Sequence, residues 1–125
     1  MGAIITDDAG RLLLIQRGHE PEEGRWSLPG GRVKPGESDW EAVAREVREE
    51  TGLHVEPGTL IGAVERPAPG GAVFDIYDYA ASVSDGRLAA GDDAADARWV
   101  HPGEIDRLEL TTGLARTLAG WGVLG

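Results

Sequence analysis

The chain contains no cysteine. That excludes a disulfide framework, a thiolate nucleophile and a zinc-thiolate site, and it fits a reducing, cytoplasmic setting. No stretch approaches the roughly eighteen apolar residues of a membrane span, and the opening MGAIITDDAG has neither the basic start nor the apolar run of an export signal. A membrane is therefore not an expected partner. Basic residues are also scarce, with 12 Lys and Arg against 22 Asp and Glu and a net charge of −10. Polymeric nucleic acid is bound mainly through clustered Lys and Arg that displace counterions, so it too is not expected as a partner. A small anionic ligand would need local help, and a divalent cation is the obvious source.

At 125 residues the chain suits one domain, 1–125, with a core that needs no staples. It has no internal repeat. The apolar stretches AIITD and RLLLIQR flank Asp7-Asp8-Ala9-Gly10, which predicts a hairpin. GHEPEEGRW is a polar loop, and WSLPGGRV is a short strand broken at Pro29-Gly30-Gly31. Ser38 with Glu41 forms a capping box that opens a helix, which Gly52 ends. GTLIGAVERP, AVFDIYDYAASVS and DARWVHP are expected strands; in the second, Phe74, Ile76 and Asp78 share one face and Asp75, Tyr77 and Tyr79 the other. Thr111 or Thr112 is the expected cap of a last helix, GLARTLAGW. Strands and helices mix without regular alternation, which favours an α/β fold with a mixed sheet and helices on its faces.

On the first helix, Trp40, Val43, Ala44, Val47 and Thr51 fall on one stripe, expected to face the core. Glu46, Glu49 and Glu50 crowd an adjoining sector at spacings of three and four. Like charges so placed cost a few tenths of a kcal/mol per pair (~0.2–0.5), and glutamates near a helix C-terminus oppose its dipole. Arg45 lies beside Glu49 and offsets part of this. A hard cation would reverse the sign of the problem, because Mg²⁺ prefers carboxylate oxygens and water and is shared with substrate phosphates. A solvated acidic face is the competing reading of the helix alone. The glycine pair just before it favours the ion, since glycine brings main chain close to an ion or a phosphate.

From Gly31 to Leu53 the chain resembles the signature of the Nudix (MutT-like) hydrolases, G-x5-E-x7-R-E-U-x-E-E-x-G-U, where U is bulky and aliphatic. Gly31, Glu37, Arg45, Glu46, Val47, Glu49, Glu50, Gly52 and Leu53 fill every specified position. LLLIQR, GRWSLPGG and DDAADARWV resemble the family's flanks. The resemblance implies an α/β/α sandwich and Mg²⁺-dependent (or Mn²⁺-dependent) cleavage of the pyrophosphate in a nucleoside diphosphate linked to another moiety, such as a nucleoside triphosphate or an ADP-ribose-like compound. It implies Glu46, Glu49 and Glu50 as metal ligands, with the Gly30 carbonyl as a further one, and Glu37 and Arg45 as braces. For the base that takes a proton from water it points first to Glu46, then to Asp92, Asp93 and Glu65. Pro67 and Pro69 fall roughly where a proline marks the ADP-ribose branch, and Met1 stands directly at the first strand, where relatives usually have several more residues. Arg17, Trp26, Arg32 and Tyr77 are candidate substrate contacts; Trp26 and Tyr77 have core or cross-strand packing as the competing role. A catalytically silent nucleotide or sugar-nucleotide sensor is the alternative function, and monomer and homodimer are both compatible with the sequence.

Overall fold

Ala3–Ile5 and Leu12–Ile15 are unbroken apolar runs, the pattern of strands covered on both faces, and every one of these residues is buried in the computed structural model. It describes residues 1–67, 69–91 and 94–123, without the side chains of 66, 67 and 69. The strands are β1 (Gly2–Ile5), β2 (Leu12–Arg17), β3 (Trp26–Ser27), β4 (Leu53–Pro67), β5 (Val73–Gly86) and β6 (Ala94–Val100). The helices are α1 (Asp39–Thr51) and α2 (Leu114–Gly120). One mixed sheet has the order β1-β5-β4, with β1 parallel and β4 antiparallel to β5; an antiparallel sheet has the order β3-β2-β6.

Alternate residues of β1 and β2 serve opposite cores. Ile4, Leu12 and Leu14 pack with Trp26, Val100, Leu114 and Leu118 on the α2 side. Ala3, Ile5 and Leu13 pack with Val43, Val47, Leu53 and Val55 on the α1 side. The expected α/β/α sandwich follows from that alternation. No helix among the described residues is long and apolar enough to cross a membrane.

The hairpin expected at Asp7–Gly10 is corrected. The turn forms, with Asp7 N donating to Arg11 O at 3.0 Å and Gly10 N to Asp7 O at 2.9 Å. Past the Thr6–Leu12 bridge the two strands part and enter different sheets. A tight turn fixes only its neighbours, whereas the rest of each ladder goes to the partner that completes burial. The last helix also differs: its N-cap is Gly113, with no side-chain cap, and the Thr112 hydroxyl donates elsewhere.

In α1 the capping box at Ser38 and Glu41 is present as expected. The buried arc is Ala42, Val43, Val47 and Thr51; Trp40 is corrected, being 55% exposed. At about 100° per residue, Glu46 and Glu50 then project between Ala42 and Val43 around the helix, on its covered side. Both are half-buried, while Glu49 is exposed. The Tyr79 hydroxyl donates to Asp39 Oδ2 at 2.6 Å, tying β5 to the start of α1; that bond and burial raise the tyrosine pKa to about 12.

Gly52 caps α1 at φ 75°, and a Cβ there would lie 2.8 Å from the Arg87 carbonyl oxygen. Gly52→Ala should therefore lower unfolding stability by more than about 1 kcal/mol, combining left-handed backbone strain with the clash. Urea denaturation checks this, and an unchanged midpoint would contradict it.

Candidate active site

Three main-chain segments meet beside α1. Ala3 N donates to Pro29 O at 2.9 Å and Gly31 N to Met1 O at 3.0 Å, so the Pro-Gly-Gly turn lies against the start of β1. A Cβ on Gly30 would overlap the Met1 carbonyl, and one on Gly31 would lie 2.6 Å from the Glu46 carboxylate. The glycine pair is required by this close approach. Gly30 N donates to Glu50 Oε1 at 2.8 Å, which fixes the helix against the turn.

Arg45 organises the other carboxylates. Its guanidinium grips Glu37 with two bonds, Nε to Oε2 at 2.7 Å and Nη2 to Oε1 at 3.0 Å. Nη1 donates to Glu46 Oε1 at 2.9 Å and Glu49 Oε2 at 3.2 Å, and Nη2 also donates to Arg32 O at 3.0 Å. The Arg45 and Glu37 side chains are 15% and 14% exposed, so this fork is shielded from water. Hydrogen bonds from Arg45 and then from Lys34 N hold the Glu37 pKa down to about 2. The same bond to Glu37, with the Glu46 charge, keeps Arg45 protonated far into the alkaline range.

Two adjoining cavities open here. The smaller, about 210 Å³, is lined by Ile15, Arg17, Gly18, His19, Gly30, Glu46, Glu49 and Glu50. The larger, about 540 Å³, shares Ile15, Arg17, Gly30 and Glu50 with it and extends over Arg32, Phe74, Ile76, Asp78 and Thr111. Its volume suits a small organic ligand.

Among the described residues, no three Asp, Glu, His or Cys side chains already form a metal cage. Glu46 and Glu49 are turned onto Arg45, and Glu50 onto Gly30 N. The chemistry of the donor set nevertheless fits a hard divalent cation: three carboxylates and a main-chain segment line one cavity, and such cations prefer oxygen donors.

Of the substrate contacts expected from sequence, Arg17 lines both cavities and Arg32 the larger one, its guanidinium 5.5 Å from the centre of the Phe74 ring. Arg17 Nε donates to Pro21 O at 2.6 Å. Trp26 and Tyr77 are corrections. Trp26 is 5% exposed, inside the core beneath Arg98, and lines neither cavity. Tyr77 is 41% exposed and absent from both linings, whereas Phe74, Asp75, Ile76 and Asp78 of the same strand line the larger one. Of the alternative bases, Glu65 lines neither cavity, and Asp92 and Asp93 lie outside the described residues, as do the side chains of Pro67 and Pro69. Sequence reasoning missed His19, Phe74 and Asp78 as lining residues. The period of two in β5 grouped Phe74 with Asp78 but carried no signal of which face meets the cavity.

The family profile of the NUDIX domain matches residues 1–120, and the chain belongs to that family. It is 39% identical over 106 residues to an ADP-ribose pyrophosphatase of Methanocaldococcus jannaschii, covering 83% of this chain and 62% of the relative. It is 37% identical over 112 residues to the 8-oxo-dGDP phosphatase NUDT18 of Mus musculus, covering 90% of this chain and 33% of the relative. The chain thus spans under two thirds of the length of either. Among solved structures, a MutT NUDIX hydrolase from Burkholderia pseudomallei superimposes with a TM-score of 0.82 at 33% identity, over 94% of this chain and 92% of that one.

Because the Glu37 pKa is lowered from 4.5 to about 2 on folding, its stabilisation is complete above about pH 4.5 and is lost as pH falls toward 2. Denaturation of the wild type and Glu37→Gln at pH 6 and pH 3 should show a stability gap that narrows at the lower pH. A constant gap would show that the carboxylate charge is not what stabilises.

Proposed function

We propose that this domain is a divalent-metal-dependent pyrophosphohydrolase that cleaves the diphosphate linkage of a nucleoside diphosphate derivative. One observation carries the reading: Glu46, Glu49, Glu50 and Gly30 line one cavity, which opens through Arg17, Gly30 and Glu50 into a second of nucleoside size. The relatives named for ADP-ribose and for 8-oxo-dGDP differ in base and leaving group. They support the bond that is cut, and leave the base open.

Glu46, Glu49 and Glu50 would hold Mg²⁺ or Mn²⁺, with the Gly30 carbonyl as a further donor. Bound there, the ion would neutralise the diphosphate and acidify an attacking water. Arg17 lies where the cavities join and binds phosphate oxygens. Arg45 aims Glu46 and Glu49 from behind, and Glu37 fixes Arg45. Glu46, half-buried and held by one oxygen, accepts the proton from water through the other. In-line displacement at phosphorus asks mainly for positioning and charge stabilisation, so no nucleophilic side chain is needed.

Incubation with Mg²⁺ and a panel of nucleoside triphosphates, diphosphate sugars and ADP-ribose, following product release, tests the reading. Turnover is expected with Mg²⁺ and none in chelator, and Glu50→Gln should lower it by roughly a hundredfold or more while the circular dichroism spectrum is kept. Mg²⁺ should also raise the melting temperature by mass action. Tight nucleotide binding without turnover would replace the enzyme with a sensing module.

A further inference from the structure

The loop between β2 and β3 forms one wall of the larger cavity through Pro21 and Glu22, and Thr111, before α2, and Leu114, at its start, line the same cavity. Ninety residues separate Glu22 from Thr112, yet Glu22 Oε1 accepts from Thr112 N at 2.8 Å and from Thr112 Oγ1 at 2.6 Å. Arg25 Nη1 reaches the same oxygen at 3.3 Å. Glu22 adopts φ 60°, a left-handed conformation uncommon outside glycine. Such a conformation persists where its surroundings over-determine it.

The loop carries this constraint to Arg17. Gly24 N donates to Arg17 O at 2.9 Å and Arg17 N to Arg25 O at 2.8 Å, closing the loop at its base. Pro21, the residue next to Glu22, offers its carbonyl to Arg17 Nε at 2.6 Å. Among the described residues, no hydrogen bond engages the two terminal nitrogens of Arg17, and the side chain lines both cavities. A guanidinium held by Nε alone presents its other two nitrogens as a pair, the geometry that suits two oxygens of a phosphate.

We propose that Glu22 is a positioning residue: by clasping Thr112 it fixes the Pro21 carbonyl, and through it the Arg17 guanidinium, at the junction where a diphosphate would lie. Glu22 does not touch the diphosphate; it holds what does. The inference rests on the pyrophosphohydrolase reading for the identity of the anion and on the hydrogen-bond chain alone for the positioning.

The experiment combines kinetics with nitrogen-15 NMR of the arginine side chains. Glu22→Ala should lower kcat/KM for the best nucleotide of the panel by roughly tenfold, mostly through KM. Glu22→Gln, which retains an acceptor for Thr112, should keep most of it. In an Arg17→Ala background, Glu22→Ala should change kcat/KM less than twofold, because the group it positions is gone. In the spectra, the Arg17 Nε–H should exchange slowly with water in the wild type and rapidly in Glu22→Ala. Thr112→Val, which breaks the same clasp from its other end, should shift that exchange in the same direction. A full additive loss in the double variant, or an Arg17 Nε–H unchanged in Glu22→Ala and Thr112→Val, would overturn the proposal. If no nucleotide is turned over, the enzymatic reading fails, and the NMR comparison still decides whether Glu22 positions Arg17.

Discussion

Arg45 binds three carboxylates and the Arg32 carbonyl at once, and the site depends on that single guanidinium. Glu46, Glu49 and Glu50 repel one another at helical spacing, and Glu46, with 17% of its side chain exposed, has little water to screen it. A half-buried charge is tolerated when it is paired and hydrogen-bonded. The planar fork of arginine can serve Glu37 with one edge and the helix glutamates with the other, which a lysine ammonium cannot do. Arg45 thus offsets the repulsion among the carboxylates it touches, Glu37, Glu46 and Glu49, within the folded chain.

The glycine turn is the second constraint. Met1, Gly2, Gly30 and Gly31 pack main chain on main chain, and only the missing side chain at Gly31 leaves room for the Glu46 carboxylate. That crowding turns a surface helix into one wall of a cavity. The bond from Gly30 N to Glu50 ties the turn to the helix, and a chemistry that relies on positioning gains from such ties.

Much of this was legible in the sequence because it is local. The capping box, the Gly52 terminus and the spacing of Glu37, Arg45, Glu46, Glu49 and Glu50 are all contained within Gly31–Leu53, and the helix delivers them in that order. What was not legible is long-range. Nothing in AIITD and RLLLIQR states that they enter separate sheets, since the turn between them looks the same either way. Trp40 shares a stripe with Val43 and Val47, yet at the first turn of α1 it is 55% exposed. Trp26 and Tyr77 are aromatic residues near the site in sequence, yet Trp26 lies in the core and Tyr77 lines neither cavity. Thr112 looked like a helix cap because threonine often is one, while its hydroxyl instead meets a glutamate ninety residues earlier.

On the proposed reading, the carboxylates turned toward Arg45 and Gly30 share a divalent cation when substrate is present. Crystals grown with Mn²⁺ and a non-hydrolysable nucleotide, measured at a wavelength where manganese scatters anomalously, test it most directly. An anomalous peak is expected roughly 2 Å from oxygens of Glu46, Glu49 and Glu50, with Arg45 still gripping Glu37. A nucleotide bound in the larger cavity with no peak among those three side chains would contradict it.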